Sequence, residues 1–177
     1  TPSSWADNPC VATVQLDLTS SASMDAVVKE NILNFGAIDV AVFLAGVLPG
    51  KSLRNYDDAL IQKVMDINFT GQVTFLRRLL PYFSKGARIF FMSSVAGDRG
   101  SYDPIYAASK SAQNAFVKSL ATWLAPAVRV NAIAPALISD THMFQMMEPE
   151  RRQYHLSQTP TDRLTTKEEI AGVIFDL

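Results

Sequence analysis

The sequence is poor in cysteine and has no strong excess of either charge. Its single cysteine, Cys10, excludes an intramolecular disulfide framework and favours a reducing compartment. The 16 basic and 17 acidic residues leave a net charge of −1 without a basic tract, so we expect no nucleic-acid partner. No apolar run reaches the roughly 18 residues of a membrane-spanning helix, and residues 1–9 lack the profile of a signal peptide. We therefore expect a cytoplasmic protein that does not bind a membrane.

Hydrophobic residues are plentiful by contrast. They make up 48% of the 177 residues, which is enough to form one domain, 1–177, with a sizeable core. Cys10 begins the apolar run CVATVQL, and we predict that its side chain is buried there.

Four apolar runs rich in β-branched residues alternate with segments of helical period. These runs are residues 11–16, 39–45, 87–93 and 128–134. Near-continuous apolar strands are typical of parallel sheets that helices cover on both faces. We therefore predict an α/β fold with a doubly wound parallel sheet in three layers, α/β/α.

The segments between these runs predict helices. Apolar residues recur at helical spacing over 21–35, 57–83 and 105–124. The first of these segments opens with serine caps and extends to Phe35. A fourth helix is predicted behind a Thr-x-x-Glu capping box whose first member is Thr165 or Thr166.

The segment SSVAGDRGSYDPIYAASK, residues 93–110, holds the residues with the clearest chemistry. Tyr106 and Lys110 are four residues apart on a predicted helix, so their side chains share one face. An ammonium near a phenol favours the phenolate, so we expect Lys110 to lower the pKa of Tyr106 and make it a general acid or base. Ser93 and Ser94 end a predicted strand at the carboxyl edge of the sheet, where ligands of parallel sheets bind.

Several motifs follow one another in an order that resembles the classical short-chain dehydrogenase/reductase family. In chain order, these motifs are INFTG (67–71), SSVAG (93–97), YAASK (106–110) and VRVNAIAP (128–135). The similarity extends from LDL (16–18) to RLTTKEEIA (163–171), which is nearly the whole chain. It implies a Rossmann-like fold, NAD or NADP as the cofactor, and hydride transfer that interconverts a carbonyl and an alcohol.

The same resemblance implies a set of catalytic residues. Tyr106 would be the acid/base, and Lys110 would lower its pKa and bind the nicotinamide ribose. Ser94 would orient the substrate carbonyl, and Asn68 would hold a water in a proton relay to Lys110. No metal site is implied.

Further residues are implied to contact the cofactor together with Tyr106 and Lys110. Asp17 would meet the adenine amine, and Ala45 and Gly46 would end a turn beside the cofactor. Ile138 would touch the carboxamide, and Thr141 would lie near the nicotinamide. Each has an ordinary structural alternative, such as a strand-end cap for Asp17 or a turn for Gly46. Residues of about 137–162 would form the variable substrate loop.

The sequence also departs from the family pattern. Its eight glycines do not form the Thr-Gly-x-x-x-Gly-x-Gly turn that binds the pyrophosphate. We therefore expect the chain to be part of a longer protein, with its sheet incomplete at both ends, and the choice between NAD and NADP stays open. Phe43 and Leu44 replace the asparagines of the Asn-Asn-Ala-Gly turn, which removes side-chain hydrogen bonds near the adenine ribose and the central strands. Ala136 replaces a glycine.

Spacing leaves two candidates for the catalytic serine. The SSVAG alignment favours Ser94, whereas a separation of 13 residues from Tyr106 favours Ser93. Alternation along a strand lets only one of the two side chains face the site. We prefer Ser94, because a deletion in the following loop disturbs the sheet less than a change of strand register.

Other functions stay open at this level. A catalytically silent assembly or binding module is the alternative; the absent glycine-rich turn favours it, and the joint presence of the four catalytic residues disfavours it. An epimerase or dehydratase is a third possibility, but such enzymes usually carry a larger substrate domain. The expected substrate is a small carbonyl or alcohol. Helices 57–83 and 105–124 resemble the family's interface helices, which implies a homodimer or homotetramer.

Overall fold

A parallel sheet lies at the centre of the molecule. The structure, a computed structural model, describes residue 8, residues 10–32 and residues 36–177, except the side chain of residue 31. Within these residues, three strands pair in the order β1-β2-β3. They are β1 (Ile38–Phe43), β2 (Phe83–Met92) and β3 (Val128–Ile133). The strands predicted within 39–45, 87–93 and 128–134 are thus confirmed.

Helices occupy the predicted segments between and after the strands. The described α-helices are α1 (Ser21–Val27), α2 (Asp58–Met65), α3 (Gly71–Leu79), α4 (Ala96–Arg99), α5 (Pro104–Leu124), α6 (His142–Gln145), α7 (Pro149–Ser157) and α8 (Lys167–Asp176). Short π- and 3₁₀-helical segments are Val28–Ile32, Leu53–Asn55, Asp66–Thr70 and Leu80–Tyr82. Phe35, at the end of the first predicted helix, lies outside the described residues. None of the helices described has the length and apolar character needed to cross a membrane.

Side-chain caps determine where two of these helices begin. Asp103 precedes Pro104, and its carboxylate accepts a hydrogen bond from the Tyr106 amide. Thr166 and Glu169 form a reciprocal capping box at the start of α8. The capping box is confirmed, with Thr166 as its first member.

One face of the sheet forms the main core. The parallel register places Phe43 beside Phe91 and Ile89 beside Val130. These side chains pack with apolar residues of α1, α3 and α5. On the other face, Val42 is 39% exposed. Arg129 on this face donates a hydrogen bond to the carbonyl of Leu177, the residue that follows α8. The helices described therefore cover the two faces unequally.

The predicted strand over 11–16 is wrong. The structure describes this segment without strand pairing, and Val14 is 43% exposed. Among the described residues, β1 is an edge strand, and no neighbour supplies the hydrogen bonds that another strand would need. Cys10 is exposed rather than buried, because its apolar run does not enter the sheet.

Gly71 lies where the segment before α1 approaches α3. A Cβ at Gly71 would overlap the carbonyl oxygen of Leu18 and lie 2.6 Å from that of Asp66. We therefore expect Gly71→Ala to lower the free energy of unfolding by about 1–3 kcal/mol, as measured by denaturant unfolding. Gly172→Ala is the matched control, because a Cβ there meets nothing within 4 Å and alanine favours the helix. Equal destabilisation by both substitutions would contradict this packing.

Candidate active site

The carboxyl ends of β1 and β2 bring the candidate residues together. Gly46 follows β1, and Ser94 follows β2. Tyr106 and Lys110 lie in the first turns of α5, and both are buried. Parallel strands end at the same edge of a sheet, which is why residues so distant in sequence can share one site.

The two serines after β2 face different partners. Ser94 lies beside the Tyr106 phenol, whose pKa it lowers, and Ser94 Oγ accepts from the Ala96 amide at 3.2 Å. Ser93 is 3% exposed, and its hydroxyl donates to Asn114 Oδ1 at 2.5 Å. Ser94 is therefore the serine that lies beside the phenol, whereas Ser93 anchors the end of β2 to α5.

The pKa of Tyr106 lies above its ordinary value. Burial is the largest cause, because it disfavours the phenolate; the nearby Ser94 hydroxyl acts in the opposite direction, and the charge of Asp103 raises the pKa further. The Lys110 ammonium lies 5.9 Å from the ring centroid of Tyr106 and is bonded elsewhere. The predicted lowering of the Tyr106 pKa is therefore wrong in this arrangement, because burial is the largest cause and Lys110 does not contribute to the shift.

Lys110 is a buried cation with neutral hydrogen-bond partners. Its side chain projects to the end of β2, where Nζ donates to the Met92 carbonyl at 2.5 Å and to Gln113 Oε1 at 3.3 Å. The residue is only 4% exposed, and burial lowers its pKa from 10.5 to about 8. The ammonium and its free base are thus both accessible within about two units of neutral pH.

Asn68 joins the lysine site to the turn after β1. It lies in the π-helical segment between α2 and α3, a kind of irregularity that is frequent at functional sites. Its Oδ1 accepts from the Val47 amide at 2.8 Å, while its Nδ2 donates to the Val47 carbonyl and the Ser109 hydroxyl, each at 3.0 Å. A Cβ at Gly46 would lie 3.6 Å from Asn68 Oδ1 and 3.8 Å from Lys110 Nζ. Gly46, Asn68 and Lys110 are therefore close neighbours.

Asp103 is a residue of the site that the sequence analysis missed. It is 1% exposed, and its carboxylate accepts from the Tyr56 hydroxyl at 2.7 Å and from the amides of Gly50 and Lys51 at 2.9 and 3.1 Å. Burial, followed by the hydrogen bond with Asp103, raises the pKa of Tyr56. Asp103 thus connects the loop after β1 to the start of the helix that carries Tyr106. The available signal was an aspartate directly before Pro104, which is typical of a helix start.

Other predicted cofactor residues have local partners. The Asp17 carboxylate accepts from the Thr19 amide and hydroxyl at 2.8 and 2.7 Å, and these bonds lower its pKa. The Thr141 hydroxyl caps α6 by accepting from the Phe144 amide, and it donates to the Ile138 carbonyl. The roles of Asp17, Ile138 and Thr141 toward a cofactor stay predictions.

Comparison with known proteins identifies the family. Residues 4–177 match the model of the family described as enoyl-(acyl carrier protein) reductase. The chain is 29% identical over 188 residues to galactitol 2-dehydrogenase of Agrobacterium fabrum, covering 98% of this chain and 73% of that protein. It is 31% identical over 163 residues to the 3-oxoacyl-(acyl-carrier-protein) reductase FabG of Vibrio cholerae, covering 90% of this chain and 66% of that protein.

A solved structure agrees with these relatives. The crystal structure of a short-chain dehydrogenase/reductase from Brucella melitensis, described as a glucose/ribitol dehydrogenase, superposes with a TM-score of 0.86 at 32% identity. The match covers 92% of this chain and 66% of the crystallised one, so the chain spans about two thirds of the length of such relatives. The parallel sheet with flanking helices is a Rossmann-like α/β fold. The chain belongs to the short-chain dehydrogenase/reductase family.

Proposed function

We propose that the protein is an oxidoreductase that interconverts a carbonyl and an alcohol with NAD or NADP as hydride carrier, and that Tyr106 is its acid/base. The observation that carries this proposal is the grouping of Ser94 with a buried phenol, whose pKa Ser94 lowers, one helical turn from the Lys110 ammonium. A binding module has no physical need for a buried cation next to such a pair, since burying a charge is costly.

The residues around Gly46 fit one end of a nicotinamide cofactor. Gly46 lies close to the Asn68 amide and the Lys110 ammonium, and polar groups of this kind suit ribose hydroxyls. Lys110, Tyr106 and the turn at Ala45 and Gly46 would hold the nicotinamide ribose. When bound, the cofactor would supply or accept the hydride. The roles assigned to Asp17, Ile138 and Thr141 belong to the same proposal.

The proton chemistry follows from the protonation state of Tyr106. Its raised pKa keeps the phenol protonated at neutral pH, which is the form that donates a proton to a carbonyl oxygen during reduction. Ser94 would hold that oxygen through a hydrogen bond, and Lys110 would stabilise the phenolate left on Tyr106. Asn68 would hold a water that returns a proton toward Lys110. In the oxidative direction, Tyr106 accepts the proton of the alcohol.

We further propose a small polyol, ketone or oxoacyl thioester as substrate, on the basis of the names of the relatives. Residues 1–177 would form a single domain, in which about 137–162 act as the substrate loop. We also propose a cytoplasmic homodimer or homotetramer, on the basis of the single cysteine and the resemblance of the helices over 57–83 and 105–124 to interface helices.

Replacing the phenol tests the acid/base role. We expect Tyr106→Phe to retain binding of NADH or NADPH, followed by nicotinamide fluorescence, and to lose about 10²-fold or more in turnover of carbonyl substrates. Tyr82→Phe is the control, because Tyr82 lies just before β2, at the opposite end of the strand from Ser94. Unchanged turnover in Tyr106→Phe would reject the mechanism, and no binding of either nucleotide by the full-length protein would favour a binding module.

The two serines provide a matched pair. We expect Ser94→Ala to lower turnover by about 10²-fold, because a donor to the substrate oxygen is lost. Ser93→Ala should instead lower the free energy of unfolding by about 1–3 kcal/mol, because Asn114 Oδ1 loses its buried donor. Turnover assays and denaturant unfolding of both variants separate the two effects. A larger loss of turnover in Ser93→Ala would reverse the assignment.

The buried Lys110 should also make stability depend on pH. Between pH 8 and 10.5, this lysine is protonated in the unfolded chain and largely deprotonated in the folded protein. The unfolded state then binds more protons, so the lysine's contribution to the free energy of unfolding rises with pH in that window, by about 3 kcal/mol at most. We expect the difference in stability between the parent protein and Lys110→Met to shift in this direction from pH 8 to pH 10. A constant difference would show that Lys110 is not a buried cation.

A further inference from the structure

Two glutamines meet in the interior behind the lysine. Gln72 in α3 and Gln113 in α5 are each 1% exposed. Gln113 Nε2 donates to Gln72 Oε1 at 2.8 Å. Apolar side chains of similar size would fill this space without the cost of removing two amides from water. The presence of two buried glutamines therefore indicates that their hydrogen bonds have a specific role.

The outer partners of the pair determine the orientation of both amides. Gln72 Nε2 donates to the carbonyls of Ala45 at 2.7 Å and Ile67 at 3.3 Å, and a carbonyl can only accept. Gln72 Oε1 must therefore face Gln113 and receive its Nε2. The remaining oxygen, Gln113 Oε1, is left to face Lys110, whose Nζ donates to it at 3.3 Å. The result is one directed chain of hydrogen bonds from the ammonium to the turn after β1.

This chain of hydrogen bonds reaches a turn in which the sequence departs from the family pattern. Phe43 and Leu44 stand where the family has asparagines, and Phe43 stacks on Phe91 with ring centroids 4.7 Å apart. The backbone carbonyl of Ala45 is held instead by Gln72, from the helix opposite. A hydrogen bond to the turn is thus supplied by a neighbouring helix.

We propose that Gln113, oriented by Gln72, is a positioning residue that holds the Lys110 ammonium and couples it to the Ala45 turn. This inference rests on the proposed function for the role of the lysine in catalysis. The hydrogen-bond chain itself can be tested without a cofactor.

The surroundings of the Lys110 ammonium should make the effect of the two glutamines on its pKa measurable. The titratable neighbour of Lys110 is Tyr106, whose phenol is neutral near pH 8, and Asp103 acts on Tyr106 rather than on the lysine. Among the described residues, no carboxylate contributes to the pKa of Lys110, which burial lowers to about 8. The carbonyls of Met92 and Gln113 are the acceptors that favour its charged form.

The test follows the titration of Lys110 by NMR in the cofactor-free full-length protein labelled with ¹³Cε-lysine. The Lys110 signal is assigned by its absence in Lys110→Met. We expect Gln113→Leu to lower the pKa of Lys110 by about one unit, because an acceptor of the ammonium is lost. Gln113→Glu keeps an oxygen acceptor and adds a negative charge, so the pKa should instead rise, which provides a second test if the leucine variant does not fold. An unchanged pKa in a folded Gln113 variant would overturn the proposal.

A double-mutant cycle tests the part played by Gln72. Gln72→Leu should lower the pKa of Lys110 by less than Gln113→Leu does, and the double variant should match Gln113→Leu alone, because Gln72 acts only through Gln113. If the shifts of the Lys110 pKa in the two single variants added up in the double variant, the proposed chain of hydrogen bonds through Gln113 would be wrong. Gln62→Leu is the control on the same helical run, since Gln62 is exposed and bonded to Asp66.

Activity separates this proposal from the proposed function. In kinetic assays, we expect Gln113→Leu to move the pH dependence of kcat/KM in the same direction as the lysine pKa. If the parent protein turns over carbonyls and the pKa of Lys110 is the same in the parent and all variants, the proposed hydrogen-bond chain is wrong and the proposed function stands. If the lysine shifts as expected and no variant, nor the parent, binds NADH or NADPH, the function is wrong and the hydrogen-bond chain stands.

Discussion

The burial of one ammonium, that of Lys110, is the constraint on which the site depends. A cation removed from water needs acceptors at fixed places, and here they come from the last residue of β2 and from the next turn of α5. Both must be held at one point at the carboxyl edge of the sheet. The Asp103 cap sets where α5 begins, and Ser93 binds the end of β2 to the same helix through Asn114. The contacts of Asp103 and Ser93 therefore help to hold the acceptors of the Lys110 ammonium in place.

The turn after β1 shows how this arrangement tolerates a change in sequence. Phe43 takes part in the apolar core by stacking on Phe91, with an interplanar angle of 8°. A side chain in that position makes no hydrogen bond to the turn. The turn is nevertheless held from neighbouring helical segments, by two hydrogen bonds between Asn68 and Val47 and by one from Gln72 to Ala45. Helix side chains can thus hold a backbone turn when the strand itself contributes an aromatic ring.

Burial also explains why Tyr106 and Lys110 shift in opposite directions. Low polarity disfavours both charged forms, so the pKa of the phenol rises and that of the ammonium falls. At neutral pH, the pair is a neutral acid beside a cation that loses its proton at about pH 8. A spacing of four residues indicates that two side chains are neighbours, but it contains no information on how much water reaches them.

Local pattern determined much of this protein: the strands β1 to β3, the extent of α5, the presence of a capping box before α8 and the family motifs around Tyr106. These features depend on residues adjacent in sequence, so periodicity and caps are sufficient to predict them. Only the tertiary structure decided that 11–16 is not a strand, that Ser94 rather than Ser93 meets the phenol, and that Gln72 and Gln113 pair across 41 residues. Each of these outcomes depends on which distant segment lies alongside, because a strand needs a partner and a buried amide needs an acceptor that the neighbouring residues do not supply.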